Sequence, residues 1–231
     1  MMCGRFTRYL SWSEIHRLYR LTAPEDVGRN APARYNIAPT EDVLFVTQDR
    51  DGRQKLREGR WWLVPWWAKE MPKAAMFNAR METADTAGAF KDAWKLKRCL
   101  IPADGFYEWT VSPADKKRDP WFIHLPEKRP FSFAGLWAHN DALGVTSCTI
   151  ITMPAADPMT PIHDRQPAIL APYAYDAWLD PDTPTAEVKP LLSHNLDGDL
   201  QFYRVDRRVN ASSRADKPND DASMVEPIAV G

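Results

Sequence analysis

The alternation of apolar and polar positions along the chain reads as many short strands with few helices between them. Val43–Gln48 is a buried-strand run, and Asp49-Arg-Asp-Gly52 after it reads as a hairpin turn. Comparable runs recur at 54–58, 60–64, 98–102, 105–110, 120–125, 131–135, 147–153 and 167–170. Helical spacing is sparser. Ser11 followed by Glu14 reads as a capping box, and Ile15, Leu18 and Tyr19 then predict a helix over 12–21. Thr83 is placed to cap a second helix running to about Lys95, with Phe90 and Trp94 paired four residues apart. Short helices are expected near 173–180 and 185–192. The stretch from Asn30 to Thr40, rich in Pro and Asn, reads as a loop, and Ser212–Asp221 as a polar surface loop. Strand following strand argues against a parallel doubly wound sheet. The expectation is an α+β fold: a single domain over 1–231 with a mainly antiparallel, barrel-like mixed sheet core and a few short peripheral helices.

Composition narrows this picture. The 231 residues are 44% hydrophobic and 26% charged, which suits a globular chain rather than a disordered one. No apolar run approaches the ~18 residues of a membrane span. The N-terminus, MMCGRFTRYLSW, lacks the apolar region and cleavage site of a secretory signal. The three Cys are odd in number and far apart, without metal-ligand spacing, so neither a disulfide framework nor a zinc site is expected. The expected setting is reducing and cytoplasmic, with no membrane partner, no metal and no cofactor, and the expected state is a monomer.

Thirty Lys+Arg nearly balance 31 Asp+Glu, which excludes a polybasic phosphate-binding surface over the whole molecule. The balance is a cancellation. Residues 53–98 carry a net charge of +6, and residues 176–231 a net charge of −5. Trp61, Trp62, Trp66 and Trp67, among the ten Trp, lie in the basic stretch. Cations for phosphates and flat rings for unstacked bases are what a single-stranded nucleic acid requires. The plainer reading makes these Trp core residues and the Lys/Arg a solvated face.

Several residues could do chemistry. A Cys at the N-terminus of a chain differs from an internal one, because its backbone nitrogen is an amine. Cys3 would then be a 1,2-aminothiol, with an amine of pKa ~8 and a thiol of ~8.5. An aldehyde condenses with the amine to an imine, and the thiol closes a thiazolidine on the same carbon. The written chain begins Met1-Met2-Cys3, so removal of one Met from a start at Met2 exposes Cys3, and a start at Met1 requires two cleavages. Glu108 sits in the aromatic run Gly105-Phe-Tyr-Glu-Trp109, where desolvation would raise its pKa for acid–base work, unless alternation turns it to solvent. His163 lies in Pro161-Ile-His-Asp-Arg-Gln-Pro167, a setting in which a His is as readily structural. Asn78 and Arg80, in Phe77-Asn-Ala-Arg-Met-Glu-Thr83, suit an amine orienter and a phosphate ligand; the plainer reading is a turn Asn and a surface Arg80–Glu82 pair.

Together with Met2-Cys-Gly-Arg-Phe6, Arg34-Tyr-Asn-Ile-Ala-Pro39, Trp62-Leu-Val-Pro-Trp-Trp67 and Cys99-Leu-Ile-Pro-Ala-Asp-Gly-Phe-Tyr-Glu-Trp109, these segments resemble the abasic-site-processing family, also called the SOS-response-associated peptidase family. Val209-Asn210 matches a C-terminal element more weakly, and the resemblance covers nearly the whole chain in order. It implies a protein of the DNA-damage and SOS response that binds single-stranded DNA and cross-links to abasic sites. It implies Cys3 as the nucleophile, Asn78 on the α-amine, Glu108 as the acid–base group for the imine, and His163 as the promoter of sugar ring opening. It makes Arg80 a phosphate ligand, and adds Asn36, Arg5, Trp66 and Trp67 to the DNA-binding surface. Weak lyase activity would follow from the imine. Two departures stand out. The family begins Met-Cys, without the extra Met1, and its Trp-Gly-Leu-Ile-Pro element is here Trp61-Trp62-Leu63-Val64-Pro65. Two other readings stay open: an N-terminal-Cys (auto)peptidase or amidohydrolase, and a non-catalytic single-stranded DNA-binding module.

Overall fold

The computed structural model describes residues 4–21, 31–211 and 219–228. In chain order the elements are β1 (Phe6–Arg8), α1 (Trp12–Leu18), β2 (Arg34–Ile37), β3 (Asp42–Gln48), β4 (Gln54–Trp61), β5 (Asn78–Arg80), α2 (Lys91–Leu96), β6 (Arg98–Ala103) and β7 (Gly105–Val111). Then come β8 (Arg118–His124), β9 (Phe131–Asn140), β10 (Val145–Pro154), β11 (Arg165–Pro167), β12 (Ile169–Leu170), α3 (Tyr175–Leu179), α4 (Thr185–Leu191) and β13 (Gln201–Arg204). The result is a mixed α/β protein dominated by two sheets, with short helices outside them.

One sheet has the order β13-β8-β7-β1-β2. The other contains a ring. Strands β4, β3, β6 and β9 follow one another in antiparallel pairs, and β10 closes the circuit by pairing β9 antiparallel and β4 parallel. The period-2 alternation explains how both faces of this ring are covered. On β3, Leu44 and Val46 pack into a core with Ile15 of α1, Trp94 of α2, Trp178 of α3 and Val188 of α4. Val43 and Phe45, pointing the other way, join Phe6 and Phe106 of the first sheet. A strand buried on both faces reads as a continuous apolar run, which is why 43–48 stands out in the sequence. The second face of the first sheet is covered by Val205, Val209, Met224 and Val225, which pack on Tyr107 and Phe122.

Several local expectations change. The runs 54–58 and 60–64 are one strand ending at Trp61, with Gly59 inside it. Gly59 is there for closeness: a Cβ would sit 2.6 Å from the Thr146 carbonyl oxygen at the approach of β10. The helix expected from Thr83 begins only at Lys91. Residues 83–90 instead form consecutive turns, in which the Arg80, Thr83 and Ala87 carbonyls accept from Ala84, Ala87 and Lys91. Gly88, a poor helix former, lies in the middle of them. Part of the Asn30–Thr40 loop is the edge strand β2, formed because Ile37 and Arg34 pair with Phe6 and Arg8. The polar 212–221 loop lies mostly outside the described residues. At its end Asp220 turns inward and accepts from the Tyr35 and Asn36 amides and the Arg34 guanidinium.

Candidate functional site

Cys3 lies outside the described residues, as do Met1 and Met2; the chain enters the structure at Gly4. Its entry point is well held. In β1, Phe6 pairs with Phe106 and Thr7 with Gly105 of β7, and the Tyr107 amide donates to the Arg5 carbonyl at 3.0 Å. Continuing that register by two residues sets Gly4 opposite Glu108. Glu108 is 1% exposed and stands in register with Trp121 of β8, so the alternation directs it inward rather than to solvent.

Asn78 and His163 adjoin, from the other sheet, the hydrophobic cluster that holds Phe6 and Phe106. The Phe6 ring is 5.0 Å from Trp61, which is 5.9 Å from Phe77 and donates its indole N–H to the Phe77 carbonyl at 2.8 Å. Arg5 and Asn78 therefore adjoin the two ends of one row of edge-to-face rings. Asn78 is the first residue of β5, parallel to β10 with Asn78 against Ile150 and Arg80 against Thr152. At the same end of β10, Pro154 pairs with Arg165, and the loop between these strands carries His163. Phe6, Phe77, Phe106, Ile150, Met159 and Ile162 belong to one packed cluster. Each candidate catalytic position in the described chain is thus the immediate neighbour of a residue in that cluster, or two removed from it.

His163 is half-buried, and its Nδ1 accepts the Arg165 backbone N–H at 3.0 Å. The Asp164 carboxylate lies against the same nitrogen, so the amide favours a bare Nδ1 and the carboxylate a protonated one. Burial lowers its pKa below the usual value, against the pull of Asp164, whose carboxylate lies 2.9 Å from Nδ1. At neutral pH the ring is then mostly an uncharged base.

The Arg80–Glu82 pair of the plainer reading is not formed. Glu82 instead holds Arg165 in a two-pronged ion pair, with one contact at 2.9 Å, and its pKa is lowered by that partner. Arg80 is exposed and makes no ion pair among the described residues. Two cations, one fixed and one open, therefore flank the end of β10. In the sequence Arg165 stands out only as part of a motif, and its charge beside His163 is the one local signal of a role.

Arg5 and Asn36 occupy a different kind of place. Arg5 donates to the Asn36 side-chain oxygen at 2.7 Å and to the Val209 carbonyl at 2.8 Å. Asn36 is fully buried, and its amide donates to the Ala211 and Asn219 carbonyls. The pair ties the C-terminal segment across the N-terminal strands. Beside them lies a half-open cavity of about 290 Å³, lined by Gly4, Arg5, Ala38, Pro39, Trp109 and Asn210, with Arg118 at its edge. Trp109 donates its indole N–H to Asn210 at 2.6 Å.

Trp66 and Trp67 are 61% and 52% exposed, unlike Trp61, which is fully buried. They line a cavity of about 560 Å³ together with Pro65, Leu96 and Trp137. Trp137 pairs with Cys148, near the start of β10, whereas Asn78, Arg80 and His163 gather toward its end. The structure thus keeps the exposed Trp pair apart from the chemical group. Of the basic stretch, Arg98 is internal: it donates to the Trp94, Lys95, Trp178 and Asp180 carbonyls, and burial lowers its pKa to about 10. Arg57 and Lys97 lie over the Trp137 ring, at 4.8 and 4.7 Å.

Among the described residues, no group of three or more His, Cys, Asp or Glu is arranged to hold a metal ion, and no helix is long and apolar enough to cross a membrane.

Similarity to known proteins is extensive. The family model described as SOS response associated peptidase (SRAP) matches residues 2–212. The chain is 37% identical to the abasic site processing protein YoaM of Bacillus subtilis, over 91% of this chain and 93% of that protein. It is 30% identical to the abasic site processing protein YedK of Escherichia coli, over 98% of this chain and all of the relative. It is also 30% identical to the abasic site processing protein HMCES of Gallus gallus, covering all of this chain and 79% of the other. A solved Bacteroides thetaiotaomicron protein shares the fold with a TM-score of 0.83 at 20% identity, covering 98% of this chain and 100% of that one. A phage-related protein from Bordetella bronchiseptica superposes with a TM-score of 0.73 at 28% identity, over 89% of this chain and 95% of its own. With a family model spanning nearly its whole length and relatives at this level of identity, the chain belongs to the SOS response associated peptidase family.

Proposed function

We propose that this protein processes abasic sites in DNA by binding single strands and trapping the lesion covalently on Cys3. What supports this reading is that Glu108 is buried and falls opposite Gly4, one residue after Cys3, in the continued β1–β7 register, while Asn78 and His163 each follow a residue of the same packed cluster as Phe6 and Phe106. The names of its relatives as abasic site processing proteins support the same substrate.

Once Met1 and Met2 are removed, the Cys3 α-amine attacks the open-chain aldehyde of the abasic sugar. Loss of water leaves an imine, with Glu108 supplying and receiving the proton. The thiolate then adds to the imine carbon, a C–S bond forms, the nitrogen takes a proton, and a thiazolidine results. Asn78 orients the amine. His163, its pKa lowered by burial, moves the proton that opens the sugar ring. Arg80 meets a phosphate beside the lesion. An imine left open acidifies the adjacent sugar carbon and permits β-elimination, so weak lyase activity is the side reaction that ring closure suppresses. Removal of the leading methionines by Cys3 itself would account for a peptidase activity.

The test is a denaturing gel of the processed protein with a single-stranded oligonucleotide carrying one abasic site. A covalent adduct is expected, and Cys3→Ala abolishes it. An adduct that survives in Cys3→Ala, or none with protein whose intact mass shows a Cys3 start, overturns the reading. Unchanged affinity of Cys3→Ala for undamaged strands, with no adduct from either protein, would favour a simple binding module.

A further inference from the structure

The loop that carries His163 is fastened from beneath by a side chain with no role in the chemistry above. Gln166 lies on β11, in register with Met153, and is fully buried. Its Oε1 accepts the Ala156 backbone N–H at 2.8 Å. Ala156 in turn accepts from the Met159 and Thr160 amides through its carbonyl. The Met159 carbonyl accepts from the Ile162 and His163 amides, at 2.9 and 3.0 Å. Met159 itself is fully buried in the aromatic core. A continuous relay therefore runs from Gln166 through Ala156 and Met159 to the backbone of His163.

A glutamine amide has two ends, and only one can accept. The orientation that serves Ala156 turns Nε2 toward Asp197, whose carboxyl is buried. Burial pushes that carboxyl up to about 7, and Gln166 is the polar side chain that works against the rise by favouring the ionised form. Gln166 Nε2 and Asp197 Oδ1 are both buried without a hydrogen-bond partner, and Gln166 is close enough to act on the Asp197 carboxyl. Asp197 stands on firm ground, because the preceding Leu196 donates to the Ile169 carbonyl at 3.1 Å and Asn195 bridges Leu170. The charged groups that face His163 are Asp164 and Arg165, with Glu82 bound to Arg165.

We propose that Gln166 is a positioning residue for His163, held in its working orientation by the buried carboxylate of Asp197. An ionised Asp197 accepts from Nε2, which commits Oε1 to Ala156 and fixes the turn under His163. Loss of either partner releases the amide and lets the imidazole drift from the site. A small misplacement of a group that moves a proton slows the reaction without touching substrate affinity. The proposal rests on the reading of His163 as the acid–base group at the abasic sugar.

The experiment exchanges the two side chains. Gln166→Glu sets two carboxylates against each other and removes the donor. Combined with Asp197→Asn it restores one donor facing one acceptor in the opposite sense, with one oxygen of the introduced carboxylate still able to accept from Ala156. Adduct formation with a single-stranded abasic oligonucleotide is followed at saturating protein and mildly alkaline pH, and affinity is read on the undamaged strand. Gln166→Glu is expected to slow the adduct by about tenfold or more, with affinity held within about twofold, and the double variant to recover most of the rate. In parallel, the imidazole titration of His163 followed by NMR shifts in Gln166→Glu and returns in the double variant. A folded Gln166→Glu with the wild-type rate and titration overturns the proposal, and so does a folded double variant that stays as slow as the single one. If the wild-type protein forms no adduct, the functional reading fails, and the His163 titration alone decides the positioning.

Discussion

At the scale of single residues, the environment of each side chain sets what it can do. His163 sits below the usual histidine pKa because burial outweighs the Asp164 carboxylate. A proton-accepting role then predicts an adduct rate that rises with pH through a midpoint below ~6.5 and levels off above it. Asp164→Asn removes the group that favours the charged ring, so the midpoint moves lower still; single-turnover rates from acid to mildly alkaline pH check both statements. Asp104 shows the opposite balance. It accepts from the Tyr9 and Leu10 amides, yet burial raises its carboxyl to about 6. A carboxyl raised above its unfolded value adds to stability while protonated, and that contribution is lost as pH rises through the folded pKa. The cost is on the order of 3 kcal/mol at about pH 8. Asp104→Asn, whose amide oxygen still accepts those bonds, is expected to flatten the fall in melting temperature between about pH 4 and about pH 7. Legibility at this scale is uneven. Glu108 among Phe106, Tyr107 and Trp109 is visible as an acid in an apolar run. Gln166 is not, because nothing local marks a polar residue as buried. The hydrogen bonds of Asn36 and Arg5 with the C-terminal segment join residues 175 and 204 positions apart, beyond any motif.

At the scale of elements, the strands that can be read directly are those whose burial repeats along the chain. β3, β6, β7 and the long β9 and β10 carry enough alternating or continuous apolar residues to identify themselves. The three-residue β1, β5 and β11 do not. In Asn78-Ala-Arg80 only Ala79 is buried, and the segment is a strand because β10 offers it a ladder. Asn78 and Arg80 thus ride on one of the least readable strands and are recognisable only through their motif, whereas Glu108 sits on the legible β7. The same dependence on partners governs Gly59. Gly59→Ala drives a methyl group against the Thr146 carbonyl, and β4 and β10 must separate to admit it. A loss of about 1–3 kcal/mol is expected from chemical denaturation. Gly144 serves as the control: its Cβ would meet nothing, and because its φ is positive Asn rather than Ala is placed there, with little change expected.

At the scale of the whole molecule, the near-zero charge of the chain conceals an uneven surface. Part of the basic stretch is spent inside the fold, as Arg98 shows, and part is paired, as Lys55 is with Asp49 at 3.3 Å. What is left for a polyanion includes Arg80 at the chemical group, Lys97 near the exposed Trp66 and Trp67, and Lys69, Lys73, Lys91 and Lys95, which are exposed and in no ion pair among the described residues. Binding to undamaged single strands is therefore expected to weaken with salt, and Arg80→Ala to reduce that slope by about one ion while weakening binding for all sequences alike. A titration of affinity against salt concentration checks it; an unchanged slope would remove Arg80 from the interface.

The closed ring also dictates when the protein can fold during its own synthesis. Its last seam joins Arg60 and Trp61 to Ser147 and Cys148, and the segments that carry His163 and Asp197 follow later still. Until β10 has left the ribosome, β4 and β9 present unpaired edges, and at ~5–20 residues per second that interval lasts several seconds. Contacts so distant in sequence are slow to form even in the finished chain. The nascent protein thus passes through a long open-edged state, and its yield on expression should depend on temperature and chaperone supply more steeply than the stability of the finished fold would suggest.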